Sequence, residues 1–139
     1  MPDQSRFQWK ILFLCFVIIM LDGYDAAVMG FIAPALLEDW GISRAALGPI
    51  LGAAMFGVAL GALIAGPLAD RYGRKRILLA SVALFGVFSL AAAMAQTPTQ
   101  LALLRFLTGL GLGAVMPNCV TLVAEYMPER RKGLMITLM

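Results

Sequence analysis

The chain has 139 residues, of which 61% are hydrophobic and only 14% are charged. Soluble domains carry roughly 45–50% apolar and about 25% charged residues, so this composition excludes an ordinary soluble domain and favours a lipid bilayer. There is no histidine, and both cysteines lie in apolar segments, so neither a zinc site, a histidine-based catalytic site nor a disulfide framework is expected. The net charge of +3 is concentrated between the apolar segments, which argues against a nucleic-acid partner. No metal or other cofactor is expected.

Four long apolar segments predict four membrane-spanning helices, because a span needs about 20 consecutive apolar residues. The predicted spans cover residues 11–37, 45–68, 77–95 and 101–123, and a fifth starts near residue 133. Asp22-Gly23-Tyr24-Asp25 interrupts the apolar run of the first span. A cleaved signal peptide would explain that first run but none of the other three. The expected fold class is therefore an all-α membrane protein, a bundle of transmembrane helices.

The basic residues predict the orientation of the spans. Nine of the eleven lie on one side, since only Arg44 lies on the other side and Arg105 lies within a span. Loops rich in lysine and arginine stay in the cytoplasm, so the N-terminus and the segments carrying these nine residues are expected there. The nine are Arg6, Lys10, Arg71, Arg74, Lys75, Arg76, Arg130, Arg131 and Lys132.

Two carboxylates lie deep in the first span. Asp25 is fifteen residues beyond Lys10, or about 22 Å along a helix, and Asp22 shares its face at a spacing of three. A carboxylate in hydrocarbon is costly and usually faces a cavity or a partner, which favours a proton-binding or substrate-gating site. The alternative is a polar contact between helices, or a break in the helix at Gly23.

Arg105 is the basic residue within a predicted span. It lies about 8 Å below the outer turn, hence about 22 Å from the cytoplasmic side of a core that is ~30 Å thick. Asp25 has the same estimated depth, so we predict that the two side chains pair and thereby reduce the cost of burying both charges. In the alternative interpretation, the long side chain of Arg105 extends to the outer surface.

Small residues recur at intervals of four in the second and fourth spans. Such stripes allow two helices to approach closely, so we predict tight packing along them. They comprise Ala53, Gly57, Gly61 and Ala65 in the second span and Gly109 and Gly113 in the fourth.

Residues 66–76 form the most specific motif, a short loop with one acid and four bases. A positive-inside anchor would explain the bases but neither the acid nor the glycines. The loop closely resembles the signature of the major facilitator superfamily between its second and third helices: a glycine, three residues, an aspartate, then arginine, any residue, glycine, arginine, and lysine or arginine. The matching residues are Gly66, Asp70, Arg71, Gly73, Arg74 and Lys75.

Three further stretches resemble the same family. Arg105 and the glycines after it are similar to the fourth-helix motif of proton-coupled members. Residues 22–25 resemble a first-helix motif of one branch, the aromatic acid:proton symporters. Glu125, Arg130 and Arg131 resemble the end of helix four in that branch.

The resemblance implies a twelve-helix fold of two six-helix halves, of which this chain supplies the first four helices and the start of the fifth. It implies a secondary transporter of the cell inner membrane that takes up aromatic carboxylates, such as benzoate or hydroxybenzoate, with protons. Asp22, Tyr24, Asp25 and Arg105 would serve coupling and substrate, and the 66–76 loop would act as a conformational switch. The implied partners are an aromatic acid, protons, lipid and the remaining helices.

Two alternatives stay open. The superfamily loop also fits a transporter of another organic acid, a sugar or a drug. A self-contained four-helix membrane protein would suit the chain length. An enzyme is not expected, because no nucleophile–base pair or metal site is evident.

Overall fold

A computed structural model describes residues 2–126 and 129–137, and their side chains except those of residues 2–5, 131, 132 and 135. This part of the chain is all-helical, which confirms the predicted fold class, and four of its helices are long and apolar enough to cross a membrane. The helices are α1 (Pro2–Trp40), α2 (Arg44–Tyr72), α3 (Arg74–Ala93), α4 (Pro98–Tyr126) and α5 (Glu129–Thr137).

The helices do not end where the apolar segments end. α1 has 39 residues, which makes it about 58 Å long, well beyond the ~30 Å of hydrocarbon it would cross. It is also continuous through residues 22–25, so the alternative of a break at Gly23 is not found. α5 begins at Glu129, four residues before the predicted start. Apolar patterning marks the lipid-facing length, whereas backbone hydrogen bonds determine where a helix ends.

One residue, Gly73, connects α2 to α3. Its φ of +94° lies where a side chain is disfavoured, and its N–H donates to the carbonyl of Ala69 at 2.9 Å, which closes the last turn of α2. So short a turn makes α2 and α3 antiparallel. We call this end of the bundle, where α2 ends, α3 begins and α4 ends, the basic end.

α4 lies at the centre of the bundle. Of the residues in the apolar stretch of α4, 56% are buried, compared with 6% of those in the apolar stretch of α1. α2 approaches α4 through the predicted small residues: a Cβ on Gly57 would collide with the carbonyl of Phe106, and one on Gly113 with that of Val58. α3 packs on another face, where Gly111 lies against its backbone. The glycines thus bring two helices close to α4.

Two apolar clusters lie at different heights in the bundle. Near the basic end, Cys15 of α1 packs with Val115 and Cys119 of α4. Near the opposite end, Met29 of α1 packs with Leu101 of α4. The segment of α1 between these clusters contains Asp25, and the facing segment of α4 contains Arg105.

Candidate functional site

The structure brings together the two charged side chains at matched depth. Arg105 Nη1 donates to Asp25 Oδ2 at 2.5 Å, and the side chains are only 9% and 15% exposed, respectively. The alternative in which Arg105 extends to the outer surface is therefore not found. A charge-assisted hydrogen bond in a poorly solvated place is stronger than one in water, and it joins α1 to α4.

Ser89 of α3 completes this cluster. Its Oγ donates to the other carboxylate oxygen, Asp25 Oδ1, at 3.1 Å. Ser89 was not among the site residues predicted from the sequence, although its depth along α3 matches that of Asp25. Ser89 lies thirteen residues beyond Arg76, about 20 Å along α3 and close to the depth estimated for Asp25.

Arg105 also has a buried donor that Asp25 does not satisfy. Its Nε is buried and has no hydrogen-bond partner there. Buried polar groups are normally paired, and an unpaired one is costly. The guanidinium can therefore donate a further hydrogen bond to an anionic or polar group.

A cleft of about 450 Å³ opens beside the cluster, between α1, α3 and α4. Asp25, Ser89 and Arg105 supply its polar wall, and Tyr24, Phe85 and other apolar side chains supply the rest. A mostly apolar pocket with a few converging polar groups is the usual form of a small-molecule site. Asp22 lies one turn from Asp25 but does not line this cleft.

A second charged cluster lies at the basic end. Arg74 contacts Glu125 at 3.0 Å and Asp70 at 3.7 Å, so one arginine joins α2, α3 and α4. All three side chains are partly or largely exposed, so each pair stabilises the fold by at most about 1 kcal/mol. Arg74 and Glu125 belong to separate sequence motifs, and in the structure they form one cluster.

The end of α1 joins the same region. Gln8 Nε2 donates to the carbonyl of Tyr126 at 2.6 Å, and Phe7 packs edge-on against the Tyr126 ring at 5.6 Å between centroids. All four long helices therefore meet at the basic end.

The other residues of the predicted motifs lie outside these contacts. Gly66, Arg71, Lys75 and Arg130 are exposed. The guanidinium of Arg71 lies 5.7 Å from the ring centre of the adjacent Tyr72. Arg131 belongs to α5, but its side chain lies outside the described residues, as do residues 127 and 128.

The described residues thus form a bundle of four helices that are long and apolar enough to cross a membrane, with a poorly exposed ion pair beside a mostly apolar cleft. The chain belongs to the Major Facilitator Superfamily, whose family model matches residues 14–139. The resemblance found in the 66–76 loop is thereby confirmed at the level of the family.

Curated relatives with high identity are named for their substrates. The chain is 61% identical over 135 residues to the gallate transporter of Pseudomonas putida and 62% identical over 135 residues to a 4-hydroxybenzoate transporter of Pseudomonas aeruginosa. Each match covers 97% of this chain and 30% of the relative. The benzoate transport protein of Acinetobacter baylyi is 38% identical over 147 aligned positions, covering 100% of this chain and 32% of that relative.

The chain thus spans about a third or less of the length of the curated relatives it matches.

Proposed function

We propose that this chain is part of a secondary transporter that takes up an aromatic carboxylate together with protons. The observation that carries the proposal is the buried Asp25–Arg105 pair beside an apolar cleft. The names of the relatives support the substrate class, because gallate, 4-hydroxybenzoate and benzoate are all ring carboxylates.

Proton uptake and substrate uptake would be coupled because Asp25 and the substrate carboxylate compete for the guanidinium of Arg105. While Asp25 is charged, it accepts a hydrogen bond from Arg105 and neutralises it. When Asp25 binds a proton, that attraction is lost and Arg105 can pair with the carboxylate of the substrate. The unused Nε–H of Arg105 supplies a further donor to that carboxylate, and the apolar walls suit the ring. Substrate binding therefore favours the protonated site, which links the two fluxes.

Access would alternate between the two sides of the membrane, as expected when two helical halves rock about a central site. The Arg74 cluster is our candidate switch at the basic end, because it joins three helices through exposed, weak ion pairs that can break and re-form. Gly73 gives this junction a tight turn. Asp22 and Tyr24 would act beside the central site, and Gly66, Arg71, Lys75, Arg130 and Arg131 around the switch.

The positive-inside rule supports a cytoplasmic basic end and N-terminus. The inner membrane of a bacterial cell is the proposed location, since uptake driven by protons needs an energised membrane.

The test is uptake of labelled 4-hydroxybenzoate, gallate and benzoate by the full-length protein in proteoliposomes. We expect uptake only when the outside is more acidic than the inside, and loss of it in Asp25→Asn. Asp22→Asn is the matched control, because it removes a carboxylate from the same helix. It should retain more uptake activity than Asp25→Asn. Uptake that is independent of the proton gradient, or uptake of sugars in preference to ring carboxylates, would refute the proposal.

A further inference from the structure

The carboxylate of Asp25 is held by two helices and not by one. Its Oδ2 accepts from Arg105 on α4, and its Oδ1 accepts from Ser89 on α3. An arginine alone leaves a carboxylate free to rotate about its last side-chain bond. A second donor on the other oxygen fixes the plane of the group.

The position of Ser89 follows from how α3 packs on α4. Ser81, Phe85 and Ser89 recur at intervals of four and share a face of α3. Gly111 of α4 lies against that face: a Cβ there would come within 2.8 Å of the Ser81 carbonyl oxygen and 2.9 Å of the Phe85 backbone nitrogen. This close approach brings the next turn of α3 to Asp25.

We propose that Ser89 is a positioning residue that orients the Asp25 carboxylate toward Arg105 and sets the pH range over which uptake is coupled to protons. The inference rests on the proposed function. A hydroxyl that donates to a carboxylate stabilises its charged form more than its protonated form. Ser89 thus stabilises the charged carboxylate that Arg105 contacts.

Few other charged or titratable groups face this carboxylate in the described part of the chain. Arg105 contributes from α4 and Asp22 from one turn away on α1. Tyr24 lines the same cleft, and α3 contributes only the hydroxyl of Ser89. Removing that hydroxyl therefore changes the local balance without removing a charge.

The experiment measures initial uptake of 4-hydroxybenzoate as a function of external pH, in proteoliposomes of the full-length protein, per amount of inserted protein. Ser89→Ala should move the midpoint of the pH profile alkaline by about one pH unit, because a hydrogen bond to a charged group is worth roughly a tenfold change in an equilibrium. Ser89→Thr retains the hydroxyl and should restore the original midpoint.

Ser81→Ala is the matched control. Ser81 lies on the same face of the same helix, but its hydroxyl donates at 2.7 Å to the carbonyl of Ile77 within α3. Its removal should leave the midpoint unchanged. If Ser89→Ala inserts poorly, Ser89→Cys, which keeps a weak donor of similar size, should show a smaller shift in the same direction.

The outcomes separate this inference from the proposed function. An unchanged midpoint in Ser89→Ala and Ser89→Cys, with uptake still abolished by Asp25→Asn, would overturn the role of Ser89 alone. An equal shift in Ser81→Ala would reduce the effect to general packing of α3, which also overturns it. Proton-coupled uptake that survives Asp25→Asn would instead refute the proposed function.

Discussion

Removing one member of the Asp25–Arg105 pair should destabilise the protein more than removing both charges. The two side chains are 15% and 9% exposed, so the charge left behind is poorly solvated. Loss of one partner of a buried pair costs about 3–5 kcal/mol. Asp25→Asn should fall at the lower end, since the amide oxygen can still accept from Arg105. Arg105→Gln should lie at the upper end of this range, because among the described residues it leaves the Asp25 carboxylate with a hydrogen bond from Ser89 and no counter-charge.

The double variant carries no uncompensated charge. It should therefore lose less stability than Arg105→Gln alone, with an interaction energy of about 2–3 kcal/mol between the two sites. The assay is denaturant or thermal unfolding of the purified full-length protein in detergent, for the four members of the cycle. Additive losses would mean that the contact between Asp25 and Arg105 contributes nothing to stability, and would refute the pairing.

Asp22 supplies the matched control for this cycle. It is a carboxylate on the same helix and one turn away, and it has no ion pair among the described residues. The cycle of Asp22→Asn with Arg105→Gln should be additive to within about 0.5 kcal/mol. A large coupling there would indicate a general effect of charge in this part of α1.

Three further predictions concern topology, packing and the basic end. Cysteines can be introduced at Gly73 and at Thr97 in a variant of the full-length protein without native cysteines. They should react with a membrane-impermeant thiol reagent from opposite sides of the membrane. Labelling of both from one side would refute the topology. Gly57→Ala should destabilise the protein by about 1–3 kcal/mol, because the new Cβ would collide with the α4 backbone. Gly52→Ala is the control and should not destabilise it, because the space around its new Cβ is open. Equal unfolding midpoints for the two variants would contradict the close packing of α2 on α4. Glu125→Gln should slow substrate exchange with little change in insertion or unfolding midpoint, since it breaks an exposed ion pair; unchanged exchange rates would exclude the basic end from switching.

Depth in the membrane was the part of the site that the sequence could predict. The rise per residue of a helix is fixed, so counting from Lys10 and from the turn before α4 placed Asp25 and Arg105 at one height. Counting residues gives the height of a side chain along its helix but not the direction in which it points around the helix axis. The contact itself depends on packing, which the sequence indicated only through the glycines of α2 and α4.

The remaining features depended on information that a single sequence carries weakly. Ser89 carries one hydroxyl in an apolar span. Its sequence context does not indicate a site residue unless its height is compared with that of Asp25. Arg74 and Glu125 were both expected at one end of the bundle because successive spans are antiparallel. That they touch depends on which faces of α3 and α4 meet. α5 begins at Glu129, before the fifth span predicted to start near residue 133, because a charged first turn is helical but not apolar.

The central place of α4 has a consequence for how the chain is made. Synthesis delivers α1, α2 and α3 to the membrane first, and during that interval Asp25 has no counter-charge and the glycine face of α2 has no helix to pack against. Arg105 is 80 residues away along the chain and arrives only with α4. Biogenesis therefore passes through an intermediate with an uncompensated acid in its first helix. The insertion of α4 ends this stage, because it supplies both the guanidinium for Asp25 and the helix on which α2 packs.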